Sequence, residues 1–132
     1  MARMKRNARR GTSIVEAAFM IPLMLLLIFG ALESGCLLHV RHTMTTAARE
    51  AARMLAVQGG SISDAQQVAL AQLPNADSFD YEFNANAPLD SDLDRDVTVT
   101  ITVPYSQAAL GDFFNLYGSG LMRVAVTMRS EE

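Results

Sequence analysis

The sequence predicts an α+β fold with a long N-terminal helix, a second helix and a small antiparallel sheet of about three strands. Three observations predict it. An apolar run begins soon after the N-terminus and carries no charge from residue 17 to residue 32. A helical apolar stripe continues beyond that run, and the spacing of apolar residues changes to two in the C-terminal half. The length of 132 residues suffices for one modest domain besides the long helix.

Charge is distributed unevenly along the chain. Residues 1–11 carry five basic side chains and no acid, whereas the remainder has six basic and fourteen acidic side chains. A basic arm can bind nucleic acid, but here an apolar run follows it directly. Lys and Arg beside a spanning segment stay on the cytoplasmic side of a membrane. We therefore predict a cytoplasmic basic leader at residues 1–11, an acidic extracytoplasmic body and no nucleic-acid partner.

Residues 12–38 are predicted to form a transmembrane helix, with the lipid bilayer as partner. Residues 12–32 contain a single charged side chain, Glu16. At about 1.5 Å per residue they span about 31 Å, close to the thickness of the hydrocarbon layer. The run is longer than the core of a secretory signal and lacks a prompt small-x-small cleavage pattern, so a cleaved signal is the second choice. Pro22 is expected to kink this helix.

Small residues lie four apart near the end of the apolar run. They form two pairs, Gly30 with Ser34 and Ala31 with Gly35. Such pairs let helices approach closely in lipid, so they are predicted to pack against another helix. The alternative is the ordinary Gly and Ala content of a membrane helix. The single cysteine, Cys36, is interpreted as a small packing residue, with lipidation or an intermolecular bridge as alternatives.

The helix is predicted to continue outside the membrane over residues 39–58. Its apolar residues recur at spacings of three and four, which is typical of an amphipathic helix: Val40, Met44, Ala47, Ala51, Met54 and Leu55. Gly59 and Gly60 are expected to end it, because glycine is favoured just beyond a helix C-terminus. The extracytoplasmic part of the chain therefore begins as a direct extension of the membrane helix.

Residues 61–132 are predicted to form a small extracytoplasmic α+β domain. Ser61 or Ser63 is expected to cap a second helix that ends near Leu73, before Pro74. Apolar and polar residues then alternate in three segments, which predicts strands at 79–83, 97–103 and 122–128. A mobile loop is expected from residue 84 to residue 96, and a short helix near residues 108–116. Together these elements suggest an antiparallel sheet with the helices on one face.

One acidic segment partly resembles a calcium loop. Aspartates occupy alternate positions, as calcium ligands do: Asp90, Asp92, Asp94 and Asp96. The sixth position would be Arg95 in place of Gly, and the twelfth would be Ile101 in place of Glu. We therefore interpret this segment as a solvated acidic turn.

The remaining candidates for chemistry are equally incomplete. His39 and His42 are three residues apart, and Cys36 precedes them by three, but no further ligand has suitable spacing for a metal. The sequence contains no nucleophile elbow, phosphate-binding loop or paired catalytic acid with a supporting base. The prediction is a protein without enzymatic activity, metal or cofactor.

Glu16 is the residue that most needs an explanation. A carboxylate at the edge of a hydrocarbon run is costly unless it has a partner or reaches the headgroups. Reaching the headgroups is one interpretation. In the other, a cut after Gly11 creates a cation, the free amine of Thr12. In a stack of such helices, Glu16 of one subunit would neutralise the amine of its neighbour and set the axial register.

These residues carry a resemblance to known families. The basic leader, Gly11 and the segment T-S-I-V-Glu16 resemble the processing site of type IV pilins and pseudopilins. Over roughly residues 9–58 the chain resembles the TadE-like family of the tight-adherence (Flp) pilus system. The matching positions are Glu16, Pro22, Glu33, Gly35 and the signature residues Ala47, Ala48, Arg49, Ala52 and Arg53. Two positions depart from the common pattern, Ala17 in place of Tyr and Ala51 in place of Gly.

The resemblance implies a minor pilin or pseudopilin, similar to components of type II secretion systems. Such a protein is a single-pass protein of the bacterial inner membrane with a cytoplasmic N-terminus. It supports pilus biogenesis, secretion and surface adhesion. Its implied partners are other pilins, the pilus-assembly machinery and a prepilin peptidase that cuts between Gly11 and Thr12. One alternative is an uncleaved single-pass anchor with an extracytoplasmic partner-binding domain. Another is a small binding domain secreted after signal removal.

Overall fold

The computed structural model describes residues 5–58, 60–86, 96–109 and 118–129, with the backbone alone for residues 5–10 and 58. Six elements follow one another in these ranges: α1 (Lys5–Gln58), α2 (Ile62–Gln72), β1 (Glu82–Ala85), β2 (Asp96–Pro104), α3 (Tyr105–Ala108) and β3 (Leu121–Arg129). The three strands form one antiparallel sheet. The predicted α+β fold with a long helix, a second helix and three strands is confirmed.

Helix α1 is a single helix of 54 residues, which corresponds to about 81 Å at the usual rise. It begins at Lys5, inside the basic leader, and not at Thr12 as the apolar pattern suggested. Helical structure continues through Pro22, where the kink stays a prediction. The membrane-like run and the amphipathic stripe are therefore two parts of one rod.

Helix α2 begins where a serine satisfies its first free amide groups. The side-chain oxygen of Ser61 accepts a hydrogen bond from the N–H of Ser63 at 3.3 Å, and its carbonyl accepts bonds from Asp64 and Ala65. The helix ends at Gln72, followed by Leu73 in extended conformation. Of the two serines predicted as caps, Ser61 is the one that caps α2. Ala65 and Ala69 are buried on the face of α2 that contacts α1.

The sheet has the strand order β1-β2-β3, so β2 is central. In register, Val99 pairs with Ala85 on one side and with Val126 on the other. Alternate residues of β2 are buried toward the C-terminal half of α1: Val97, Val99, Ile101 and Val103. Helix α1 contacts both β2 and β3, and α2 packs against α1. The C-terminal half of α1 therefore supplies the centre of the core.

Strand β1 begins later than the alternation of aromatic residues predicted. Phe79, Tyr81 and the strand residue Phe83 are half-buried and alternate with exposed acids, but pairing starts at Glu82. Continuing the register would place Asp80 opposite Pro104, which has no N–H to donate. Instead, the side-chain oxygen of Gln107 accepts the N–H of Asp80 at 2.7 Å. The predicted strand at 79–83 was therefore wrong at its start.

One loop prediction needs correction, and another stays a prediction. A short helix, α3, starts at Tyr105 directly after Pro104 and ends at Ala108, whereas most of the helix predicted near residues 108–116 lies outside the described residues. The loop predicted from residue 84 is shorter, because residues 84 and 85 belong to β1 and Asp96 belongs to β2. Its remaining part, with Asp90, Asp92 and Asp94, lies mostly outside the described residues.

Candidate membrane and assembly interface

The N-terminal half of α1 leaves its apolar side chains uncovered. From residue 11 to residue 32 no side chain is buried, and Ile14 and Phe19 are 70% and 78% exposed. An 18-residue window of this helix has a mean hydropathy of 2.3, and none of the window is buried in the chain. By length and composition, this helix is able to cross a membrane.

The C-terminal half of α1 has the opposite environment along one face. Burial begins at Glu33 and Leu37 and continues at Val40 and Met44, with the spacing of a helical stripe. Further along, the stripe consists of fully buried alanines: Ala47, Ala48, Ala51 and Ala52. Since alanine adds little bulk, this part of α1 presents a flat strip on which other elements pack. The alanines of the predicted signature therefore have a structural explanation within the chain.

The arginines of the same signature lie on a different side of the helix. Arg49 and Arg53 are exposed, as is Glu50 between them. Among the described residues, no ion pair joins Glu50 to Arg53. The two arginines are therefore available to solvent or to another molecule, and the core of the domain does not need them.

Glu33 is the first buried position of the stripe, with 7% of its surface exposed. Within the described parts of the chain its carboxylate has neither a hydrogen bond nor an ion pair. The folded domain begins to cover α1 at this position. Burying a carboxylate without a partner costs stability, so packing alone does not explain why Glu occurs here.

The two pairs of small residues are not needed for packing within the described chain. A Cβ added to Gly30 or to Gly35 would meet no atom within 4 Å. The hydroxyl of Ser34 donates to the carbonyl of Gly30 at 2.8 Å, which is a contact within the helix itself. Ala31 and Ser34 are exposed. If another helix packs closely at these four positions, that helix lies outside the described chain.

The residues predicted for processing and register all lie on α1. Gly11, Thr12 and Glu16 are helical and exposed. Thr12 and Glu16 are four residues apart, so they lie about one turn, or about 6 Å, from each other along the axis. Thr12 and Glu16 therefore lie on the same side of the helix.

A groove opens where the exposed part of α1 meets the domain. We call it the junction groove; its volume is about 870 Å³. One face of α1 between Ile28 and Val40 lines it, including Ala31, Gly35 and Cys36. Its opposite wall comes from the segment between α2 and β1 and from the end of α3: Pro74, Asn75, Phe79, Gln107, Ala108 and Ala109. One of the predicted small pairs thus lies in a cleft.

Hydrogen bonds hold the domain wall of the junction groove together. The side chain of Gln107 accepts from the N–H of Asp80 and donates to its carboxylate, both at 2.7 Å. The hydroxyl of Tyr81 donates to the carbonyl of Pro74 at 3.0 Å. Burial raises the pKa of Tyr81 above 10. The bonds of Gln107 connect α3 to the segment before β1, and the bond of Tyr81 closes that segment on itself.

The candidates for metal binding are not assembled by the fold. Cys36 has a free thiol and is partly buried, and it lines the junction groove together with the exposed His39. His42 is exposed on α1. In the described ranges, no group of three His, Cys, Asp or Glu side chains is placed to hold a metal ion.

Sequence reasoning did not identify the domain wall of the junction groove. The helical repeat of Ile28, Leu32 and His39 on one face was the available signal on the α1 side. No local pattern indicates that Phe79 and Gln107 lie opposite this face, because the contact joins segments far apart in sequence.

Comparison with known proteins agrees with the resemblance noted above. Residues 11–53 match the family model described as TadE-like protein. No curated protein and no solved structure matches the chain significantly. The matched range includes both the exposed apolar part of α1 and the strip of buried alanines. Residues 11–53 are thus similar to TadE-like proteins, and the described part of the chain contains one helix that is able, by length and composition, to span a membrane.

Proposed function

We propose that this protein is a minor pilin or pseudopilin-like structural component of a tight-adherence pilus assembly in the bacterial inner membrane. The observation that carries the proposal is the division of α1. Its C-terminal half is the core helix of the domain, whereas its N-terminal half exposes apolar side chains throughout. A helix of this kind holds a folded domain at a fixed distance from the membrane. It also offers a long apolar surface to other helices.

The junction groove supports helix packing between subunits. Its α1 face continues directly into the exposed apolar run, and Ala31 and Gly35 allow a close approach. The exposed run at residues 14–27 is centred about 20 Å from the groove along the axis. If this run of one copy enters the groove of another, two different surfaces meet. Contacts between different surfaces produce rings or open helical filaments.

The single cysteine of the chain allows a direct test of this contact. Cysteines are introduced one at a time at residues 14–27 of the full-length protein in native membranes, with Cys36 retained. Head-to-tail packing predicts disulfide-linked dimers that recur every three or four positions and disappear with Cys36→Ala. A symmetric contact around the groove predicts instead that the unmodified protein already forms Cys36–Cys36 dimers. That result would contradict the head-to-tail arrangement.

Processing between Gly11 and Thr12 gives Glu16 its proposed role. The exposed carboxylate of Glu16 would pair with the free amine of Thr12 in a neighbouring subunit and so fix the axial register. Intact-mass analysis of membrane-extracted protein tests the processing. A mature chain starting at Thr12 is expected. A chain starting at Met1 in cells with an active prepilin peptidase would favour the uncleaved anchor with a partner-binding domain.

A pair of variants tests the register role. Glu16→Ala should leave membrane insertion intact and abolish pilus assembly, because the neighbouring amine loses its partner. Glu50→Ala is the matched control, since Glu50 is an exposed glutamate of the same helix. Electron microscopy of surface pili and fractionation of the protein are the measurements. Normal piliation of the Glu16→Ala strain would refute the role of Glu16.

A further inference from the structure

The outward face of the sheet carries a shallow polar cavity of about 420 Å³. The strand register arranges its side chains in rows. One row contains Glu82, Thr102 and Arg123, and the next contains Asn84, Thr100 and the short side chain of Ala125. Thr98 and Asn86 complete the lining. The cavity lies on the face of β2 opposite to the valines that contact α1, so it stays accessible when α1 is surrounded by lipid or by other helices.

Thr100 lies at the centre of this cavity and differs from the threonines beside it. The hydroxyl of Thr98 bonds to that of Thr127 at 2.9 Å, and the hydroxyl of Thr102 donates to Glu82 at 3.3 Å. Thr100 is 8% exposed, and its hydroxyl has no partner among the described residues. Leaving a buried hydroxyl without a hydrogen-bond partner lowers the stability of the folded protein. A bound ligand that supplies a hydrogen bond would remove this cost.

The lining determines the chemistry of such a ligand. It consists of hydroxyl and amide groups with one carboxylate and one guanidinium, so it carries no net charge. Polyanions need a cluster of basic groups, and this cavity contributes one. Lipids and apolar peptides prefer pockets lined by aliphatic and aromatic side chains, which the described lining lacks. A neutral molecule rich in hydroxyl groups fits this lining, because it needs neither a cluster of basic groups nor an apolar pocket.

We propose that the outward face of the sheet binds a neutral saccharide, with Thr100, Asn84 and Arg123 as hydrogen-bonding residues. This inference does not depend on the pilus assembly proposed above. The saccharide would bind to the domain on the side of the sheet that faces away from α1. The buried hydroxyl of Thr100 provides the central contact, and the two asparagines supply both donors and acceptors.

The test uses the full-length protein in lipid nanodiscs, without glycoside detergents. Maltohexaose and chitohexaose are titrated and binding is followed by nuclear magnetic resonance, with sulfated heparin hexasaccharide as the anionic comparison. Saturable binding of a neutral hexasaccharide is expected. Thr100→Val, which removes the hydroxyl at nearly constant volume, should weaken it about tenfold, which is about 1.4 kcal/mol. Asn84→Ala should weaken it similarly.

Thr46→Val is the matched control, because Thr46 is exposed on α1 and its hydroxyl bonds within the helix. It should bind as the unmodified protein does. Unchanged sheet resonances establish that Thr100→Val is folded. Absence of binding by both neutral hexasaccharides would overturn the proposal. Equal binding by Thr100→Val and the unmodified protein, or a preference for the heparin fragment, would overturn it as well.

Discussion

Two methionines of α1 offer a comparison that tests the division of this helix. Met44 is fully buried and has the largest volume among the fully buried side chains of the described chain, whereas Met24 is 60% exposed. Both belong to the same helix, so helix propensity changes equally when either becomes alanine. Any difference in stability between Met44→Ala and Met24→Ala therefore reports burial against the domain, because the residue type and the helix are the same in both variants.

The expected effect of Met44→Ala follows from its surroundings. Its neighbours along the stripe are Val40, Ala47 and Ala48, and such short side chains refill little of the space that methionine leaves. Replacing buried methionine by alanine costs about 2–5 kcal/mol. For a domain of this size, a loss of 2 kcal/mol lowers the midpoint of thermal unfolding by at least about 8 °C. Met24→Ala should change domain stability by less than about 0.5 kcal/mol.

The measurement is thermal unfolding of the full-length protein in nanodiscs, followed by near-ultraviolet circular dichroism of its three tyrosines. Hydrogen exchange of the β2 amides gives an independent measure, since β2 is the central strand. If Met24→Ala destabilised the domain as much as Met44→Ala, the N-terminal half of α1 would be part of the core. A loss below about 0.5 kcal/mol for Met44→Ala would refute the assigned core.

Three further predictions concern the domain wall of the junction groove and the first buried position of α1. Gln107→Ala removes both hydrogen bonds to Asp80, so we expect the free energy of unfolding to fall by about 1 kcal/mol. Hydrogen exchange of the Asp80 amide should also become faster. An unchanged exchange rate would contradict these hydrogen bonds. Tyr81→Phe should cost about 1 kcal/mol at neutral pH through the lost bond to Pro74. Because burial raises the pKa of folded Tyr81, its contribution is complete below pH 10 and is lost as pH rises through the folded pKa. Alkaline unfolding should therefore show this loss in the unmodified protein and lack it in Tyr81→Phe, and identical pH profiles would refute the assignment. Glu33→Leu removes a buried carboxylate that has no partner in the described chain, so it should leave domain stability unchanged or raise it by up to about 4 kcal/mol. A urea titration measures this change. A loss of stability would instead indicate that the carboxylate of Glu33 has a partner.

Local patterns predicted most of the elements. The apolar stripe of α1, the cap at Ser61 and the alternation of Val and Thr in β2 each depend on residues close in sequence. Such local signals are sufficient to predict whether a segment forms a helix or a strand, and which of its faces is buried.

The failures share one physical cause, which is contact between distant residues. Where β1 begins is decided by its partner, because Pro104 ends the ladder of β2 and Gln107 captures the amide of Asp80. The start of the aromatic alternation contains no information about that proline. The junction groove is similar, since it exists only after residues 28–40 and residues 74–109 have come together. The burial of Glu33 depends on the same assembly, so no local pattern predicts it.

Small residues occur in both halves of α1, and their surroundings differ between the two halves. The alanines from Ala47 to Ala52 are fully buried, so their size is required by the packing of this chain upon itself. At Gly30 and Gly35 an added Cβ would meet no neighbouring atom within 4 Å in the described chain. The family match covers both sets. In the proposed assembly, a limit on side-chain size at Gly30 and Gly35 would come from a neighbouring helix in the membrane. Gly35→Leu should accordingly preserve the unfolding free energy of the domain and block assembly, whereas Ala51→Leu should destabilise the domain itself by about 1–3 kcal/mol.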